Sequence, residues 1–152
     1  MIKVSTKGRY GLRLMLNLAR HYTSGTKAVI LRNVAEEEEI SLRYLEQIII
    51  PLKIYKLVKS IRGAGGGYTL ARKPSEINLC KILEALEGSC ALVDCIEDKD
   101  FCDRLPTCAA YEIWKEASQI LKNYFERVTL QYVLDVCGKK KAKGKEKARV
   151  RR

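Results

Sequence analysis

The feature that most constrains the fold is a glycine-rich segment between two short alternating runs. Residues 57–62 and 68–71 alternate apolar with polar side chains, and the glycine-rich stretch 63–67 separates them. This pattern predicts a β-hairpin, because glycine adopts the backbone angles that tight turns require. The stretch lacks the Gly-Lys-Ser/Thr ending of a phosphate-binding loop and leads into no helix, which argues against a nucleotide site.

A helix-turn-helix pattern precedes the hairpin. Three helices are predicted. The first is capped by Thr6 and runs to about Tyr22. The second is short and is capped by Asn33, and the third runs from Leu42 to about Ile50. Ser41 is a good cap for the third helix, and Pro51 is expected to bend or end it. The glutamates Glu36–Glu39 are expected to form a solvated face near a helix end. Two short helices followed by a hairpin indicate a winged helix-turn-helix domain.

The start of the third helix carries side chains suited to reading DNA bases. Such a helix presents its first residues to the major groove, where long polar side chains match the donors and acceptors of the bases. The candidates are Ser41, Arg43, Tyr44, Glu46 and Gln47. At the turn of the wing, Arg62 is the candidate for insertion into a narrow minor groove. The alternative for the helix alone is a solvated face beside a flexible loop.

The second half of the chain predicts an accessory region. A helix at Ile77–Leu86, closed by Gly88, is followed by a cysteine-bearing loop (Ser89–Cys108) and a long helix (Ala109–Arg127), and Thr129 caps a further short helix. The long helix carries an apolar stripe made of Ile113, Trp114, Ala117, Ile120, Leu121 and Tyr124. Part of this stripe can cover the domain's own core. We expect the rest to meet its twin in a homodimer.

The positive charge is concentrated at the end of the chain. Of the net charge of +11, eight units come from residues 138–152, which hold nine Lys or Arg and one Glu. We expect this tail to be disordered, with attraction to DNA phosphate as its alternative role. The expected organisation is a DNA-binding domain (1–88), a cysteine loop (89–108), a dimerisation helix region (109–137) and the basic tail (138–152). No secretory signal or membrane span is visible, so a cytoplasmic protein is expected.

Three of the six cysteines lie at intervals that favour a metal site. Cys95, Cys102 and Cys108 are separated by six and five residues within one loop. Three thiolates that converge suit an iron–sulfur cluster or zinc, and loosely buried free thiols are the alternative. The chain has no Cys-x-x-Cys pair, which argues against a structural zinc knuckle. Packing accounts for Cys80 and Cys137.

Three motifs together resemble the Rrf2 family of transcription regulators. They are Ser5–Gly11 (STKGRYG), Ser41–Gln47 (SLRYLEQ) and Ile61–Tyr68 (IRGAGGGY). The similarity covers roughly residues 1–137. It implies a homodimeric winged-helix regulator that binds a two-fold operator in double-stranded DNA. It also implies Arg43, Glu46 and Gln47 as base-reading residues, with Arg62 in the minor groove.

The resemblance also bears on the cysteine loop. Cluster-binding members place three cysteines here, and Cys95, Cys102 and Cys108 look like that trio with one residue inserted. The implied cofactor is a 2Fe–2S or 4Fe–4S cluster. Tyr111 stands where one branch has a histidine, and Arg9 stands where another has an acidic ligand. The fourth ligand therefore stays open among Cys90, a nearby carboxylate, Tyr111, a small thiol or none.

The leading hypothesis is a transcription regulator that senses iron–sulfur cluster, redox or nitric oxide status through a cysteine-ligated cluster, and there are alternatives to it. Some family members lack the cysteines and respond to a metabolite or a partner enzyme, often in cysteine metabolism. An enzyme is disfavoured because a cysteine nucleophile would need the lone His21 as its base, and no oxyanion motif is present. A purely structural protein would not explain a wing that follows a reader helix.

Overall fold

The computed structural model describes residues 3–150, with side chains as far as Lys140. Its helices and strands are α1 (Thr6–Thr23), α2 (Leu31–Glu38), α3 (Leu42–Ile54), β1 (Val58–Ile61), β2 (Gly67–Leu70), α4 (Leu79–Glu87), α5 (Ala109–Arg127) and α6 (Leu130–Val150). Single 3-10 turns lie at Pro74–Glu76, Asp94–Ile96 and Leu105–Thr107. The predicted mainly helical winged helix-turn-helix is thereby confirmed. Within the described residues, no helix has both the length and the apolar character to cross a membrane.

Helix α1 forms the centre of the core. Its residues 14–19 are all buried, so the middle of this helix is enclosed by α2, α3, α4, α6 and β2. Two glycines let α4 approach closely, because a Cβ at Gly11 would overlap Leu86 and one at Gly8 would overlap the Glu87 carboxylate. Thr6 was predicted to be the cap of this helix, but Thr6 is its first residue and Ser5 is the cap. The Ser5 hydroxyl accepts a hydrogen bond from the Gly8 amide (3.2 Å).

The reader helix α3 begins and ends for different reasons. The Ser41 hydroxyl accepts a hydrogen bond from the Tyr44 amide (3.3 Å), which confirms the predicted cap. The helix does not end near Pro51 but continues to Ile54. Burial of Leu52 in the core, on the far side of the proline, stabilises this extra turn and offsets the backbone hydrogen bond that proline cannot donate.

Two other predicted helix starts were wrong. Helix α2 begins at Leu31 after Ile30, with no side-chain cap, so Asn33 lies inside its first turn. The start of α2 is set instead by the backbone of Val29, two residues earlier, because Val29 pairs with Tyr68 of the wing. Helix α4 begins at Leu79 with Asn78 as its cap, because Ile77 accepts a hydrogen bond from the Leu130 amide (2.8 Å) and is held outside the helix.

The wing is an antiparallel hairpin that is tied to the body by its backbone. Strands β1 and β2 pair from Val58 with Leu70 to Ile61 with Gly67. Tyr68 and Val29 then exchange two hydrogen bonds (2.9 and 2.8 Å), which adds a third, one-residue strand. Gly67 has φ +148°, and a Cβ there would overlap the Val29 carbonyl. Only glycine allows this contact, so the glycine-rich motif determines where the wing lies.

The last two helices differ in how they are covered. In α5 only Ser118 is fully buried, whereas Ile113, Ile120 and Tyr124 of the predicted stripe are each about 60% exposed. The start of α6 packs on α1, and the Leu130 side chain is fully buried. The backbone of α6 continues to Val150, although a disordered tail was expected. The Lys and Ala residues of this segment are good helix formers, which explains the continuation. Arg151 and Arg152 lie outside the described residues.

The Gly67 contact generates a stability prediction. Gly67→Ala should lower the free energy of unfolding by about 3 kcal/mol, because the added Cβ meets backbone in a region of φ that L residues avoid. Urea denaturation followed by circular dichroism measures this. Gly25→Ala is the matched control: its φ is +82°, but nothing lies within 4 Å of the new Cβ, so we expect a loss of about 1 kcal/mol. Equal losses in the two variants would contradict the proposed role of Gly67.

Candidate nucleic-acid interface and cysteine loop

The predicted reading residues share the outer side of α3. Ser41, Arg43, Glu46 and Gln47 are exposed, while Leu45, Ile48, Ile49 and Leu52 turn inward and are buried. The helix is therefore held by one face and free on the other. Arg62 is exposed at the end of β1, where the wing turns. The structure thus leaves both predicted DNA-contacting elements accessible.

Tyr44 differs from the other predicted reading residues because it is partly committed to packing. Its ring makes an edge-to-face contact with Tyr10 of α1, with 5.8 Å between the ring centroids. The guanidinium groups of Arg9 and Arg13 lie over the Tyr10 ring at 6.0 and 5.5 Å. This stack fixes the first turn of α3 against α1, and it gives the STKGRYG motif a positioning role next to the reader helix.

A second aromatic contact joins the reader helix to the wing. The Lys53 ammonium of α3 lies 5.8 Å from the centre of the Tyr68 ring on β2. Sequence reasoning missed Lys53, and it also missed the exposed basic residues that surround the wing: Lys56, Lys59, Arg72 and Lys73. The sequence feature that could have indicated them is the high frequency of basic residues on both sides of the hairpin. Positive charge on this side suits the phosphate backbone that flanks a bound groove.

Helix α2 is attached to α1 by a polar cluster that the sequence did not reveal. The Glu38 carboxylate pairs with Arg20 and with Arg13 (Nε–Oε2, 3.2 Å), and it accepts a hydrogen bond from Asn17 Nδ2 (3.2 Å). The Glu38 side chain is only 12% exposed. The prediction that all of Glu36–Glu39 are solvated is therefore wrong for Glu38. Arg13, Asn17 and Arg20 recur at helical spacing in α1, and this was the available signal.

Glu37 belongs to the same cluster. It accepts a hydrogen bond from Asn17 Nδ2 (2.7 Å) and lies 3.5 Å from His21 Nε2. The hydrogen bond from Asn17, followed by contributions from His21 and Arg20, holds the pKa of Glu37 below its ordinary value. A lowered carboxylate pKa stabilises the fold above the unfolded-state pKa, and this contribution is lost as the pH falls through the lowered value.

The cysteines outside the predicted trio are Cys80, Cys90 and Cys137, and the thiols of the first two have raised pKa values. Cys80 of α4 is buried and donates to Glu84 (3.4 Å), and burial raises the pKa of its thiol to about 12, with a further contribution from Cys90. Burial likewise raises the pKa of the Cys90 thiol. Both groups are therefore neutral thiols on the α4 side of the loop. Cys80 is packed in α4, as predicted, and Cys137 packs against the core from α6.

The predicted metal trio is not assembled in this conformation. Cys95 and Cys108 are half-buried and Cys102 is exposed. Across the part of the chain that the structure describes, no three His, Cys, Asp or Glu side chains lie close enough to hold a metal ion. Tyr111, which stands at the alternative ligand position, lines one cavity with Cys102. The described arrangement of these thiols therefore does not fit a cluster.

The fold and its exposed reader helix and wing define a winged helix-turn-helix protein of the DNA-binding class. The family model for Rrf2, described as an iron-dependent transcriptional regulator, matches residues 4–136. The regulator CymR of Bacillus subtilis is 38% identical over 130 residues, which cover 86% of this chain and 88% of CymR. The chain belongs to the Rrf2 family of transcription regulators.

Solved structures agree with this assignment. The structure of CymR (YrzC), described as the global cysteine regulator of B. subtilis, matches with a TM-score of 0.73 at 37% identity, and the match covers 90% of this chain and 98% of that one. The structure of T. potens IscR also has a TM-score of 0.73, at 35% identity, and covers 90% and 88%. The predicted regulator, rather than an enzyme, is thereby confirmed.

The polar cluster generates the prediction for this site. Glu38→Gln should lower the free energy of unfolding by about 1–2 kcal/mol, because it removes the charge that pairs with two arginines which are themselves partly exposed. Chemical denaturation at neutral pH measures the loss. Glu36→Gln is the control, since Glu36 is exposed on the same helix and should change stability by less than about 0.5 kcal/mol. A loss in Glu38→Gln no larger than in the control would contradict the cluster's role.

Proposed function

We propose that the chain acts as a homodimeric, sequence-specific DNA-binding regulator of a two-fold operator. The observation that carries this proposal is the pairing of an exposed reader face on α3 with an exposed wing arginine on one rigid frame. Arg43, Glu46 and Gln47 supply the base contacts, and Ser41 and Tyr44 stand at the start of the helix. Arg62 enters the minor groove, where the potential is most negative.

The homodimer is supported by the uncovered side of α5. Ile113, Ile120 and Tyr124 lie seven and four residues apart, which places them along one line of the helix. They are about 60% exposed and Trp114 is 43% exposed, so the helix presents an apolar surface that the described chain does not cover. A second copy of the same helix is the occupant we propose, because a two-fold contact repeats a single patch on both partners.

The sensing function rests on the cysteine loop. We propose that Cys95, Cys102 and Cys108 bind an iron–sulfur cluster, with the fourth ligand open. Three free thiols in one irregular loop next to α5 support this ligand set. Because the described loop holds them apart, cluster binding requires residues 89–108 to rearrange. IscR is among the similar structures.

A cluster-free regulator of cysteine or sulfur metabolism is the second candidate function. It is favoured by the separation of the three thiols and by the similarity to CymR, which is described as a global cysteine regulator. In this version the DNA-reading elements are unchanged. The signal is then a metabolite or a partner enzyme, and the cysteine loop is a packed segment.

The DNA-reading residues predict distinct losses. Arg43→Ala should weaken binding to a selected operator about tenfold or more but weaken random-sequence DNA less, because base contacts carry the specificity. Arg62→Ala should weaken operator binding by a similar factor. Fluorescence anisotropy with an operator enriched from random DNA measures both. Lys81→Ala, an exposed lysine on α4, is the matched control and should bind like the original protein. Unchanged operator affinity in both arginine variants would contradict the proposed DNA contacts of α3 and the wing.

The cysteines predict a spectroscopic result. Protein purified without air should absorb visible light and contain iron and acid-labile sulfide, and Cys95→Ala, Cys102→Ala and Cys108→Ala should each lose this chromophore. Cys137→Ala is the matched control because Cys137 packs on the core outside the loop, and it should retain the colour. A colourless original protein that takes up no cluster on reconstitution would contradict cluster sensing and support the cluster-free regulator.

A further inference from the structure

A cavity of about 550 Å³ lies between the cysteine loop, α4 and α5. This volume falls within the range of roughly 300–1,000 Å³ that is usual for small-molecule sites. None of Cys95, Cys102 and Cys108 lines the cavity, whereas Cys90 and Tyr111, the two residues named as alternatives for a fourth ligand, do. The cysteine loop is anchored to α5 beside the cavity, because the Leu92 amide donates a hydrogen bond to the hydroxyl of Ser118 (3.0 Å), a buried residue that lines the cavity.

The wall of the cavity carries both signs of charge. Lys99, Lys115 and Lys122 contribute three ammonium groups, and Glu84 and Glu97 contribute two carboxylates. Lys115 is partly engaged, as it lies 5.5 Å from the Tyr111 ring centre and 3.6 Å from a carboxylate oxygen of Glu112. No carboxylate among the described residues lies within 4.0 Å of the ammonium groups of Lys99 and Lys122. Two cations are therefore available to a ligand.

Charged groups of both signs share this wall with a thiol. The thiol of Cys90 lies in this wall, and Glu84, Lys122 and Glu97 all act on it electrostatically. A ligand seated there meets ammonium and carboxylate groups together. This combination matches a zwitterion, whose carboxylate faces the lysines and whose ammonium faces the glutamates.

The cavity also touches the DNA reader. Tyr55, the residue that ends α3, forms part of its wall. A ligand held between Tyr55 and α5 would contact the far end of the reader helix and the helix that carries the proposed dimer surface. Binding that favours one spacing of these two helices changes DNA affinity, because a ligand shifts a conformational equilibrium by its differential affinity.

We propose that this cavity is an effector site for a zwitterionic metabolite of amino-acid or short-peptide size. Its occupancy modulates DNA binding through Tyr55 and α5. Lys99 and Lys122 bind the carboxylate of the ligand, and Glu97 and Glu84 bind its ammonium group. The DNA readout of this inference rests on the proposed function, whereas ligand binding itself does not.

The test uses the full chain and two independent measurements. The probes are the proteinogenic amino acids and the dipeptide alanylglutamate, with acetate and ethylammonium as singly charged comparators. At least one zwitterionic probe should raise the midpoint of thermal unfolding, because a ligand that binds only the folded state stabilises it. In Lys99→Met/Lys122→Met the affinity for that probe should fall about tenfold or more, from the loss of charged hydrogen bonds. Lys81→Met should bind it normally.

The second measurement is operator affinity with and without the same probe. The probe should change the affinity of the original protein and of Lys81→Met but not that of the double variant. The site is refuted if no zwitterionic probe shifts unfolding, if acetate or ethylammonium shifts it equally, or if the double variant responds like the control. A probe that binds and leaves operator affinity unchanged overturns the effector role. Failure to bind DNA without any probe refutes the proposed function instead.

Discussion

Burial of α1 is the constraint on which the rest of the structure depends. Residues 14–19 are enclosed on every side, so α2, α3, α4, α6 and β2 are all positioned against one helix. Gly8 and Gly11 bring α4 close, and Tyr10 positions the first turn of the reader through Tyr44. A change in the register of α1 would move the reader helix and the wing together. The reader helix and the wing, the two proposed DNA-contacting elements, are therefore both held against α1.

The elements that the sequence predicted well are those with local causes. The hairpin was predictable because its glycines satisfy φ values of +96° at Gly63 and +75° at Gly65, which a turn needs. The Ser41 cap was predictable for the same reason, since the hydroxyl bonds an amide three residues away. The exposed reader face followed from the buried positions of α3, which recur at helical spacing.

The errors have causes that lie far away in the sequence. Asn33 resembled a cap, but α2 begins earlier because the backbone of Val29 is paired with Tyr68, thirty-nine residues along the chain. Pro51 resembled a helix end, but burial of Leu52 outweighs the missing donor. Glu38 was predicted to be solvated, but its carboxylate contacts two arginines and the Asn17 amide of α1. In each case tertiary packing decided between two locally reasonable alternatives.

The cysteine loop has a different character from the frame beside it. Its two 3-10 turns bury no residue, and Leu92 is tied to α5 by a single hydrogen bond to Ser118. A segment with so little burial rearranges at low cost, because few contacts are lost when it moves. The same loop contains the proposed cluster ligands and forms part of the wall of the charged cavity. A ligand that orders this loop therefore binds next to α5. Helix α5 carries the apolar surface of the proposed dimer, and this dimer would set the distance between the two reader helices. In the proposed mechanism, sensing and DNA reading are coupled through α5, in which Ser118 is the one buried residue, while the reader helix stays fixed on α1.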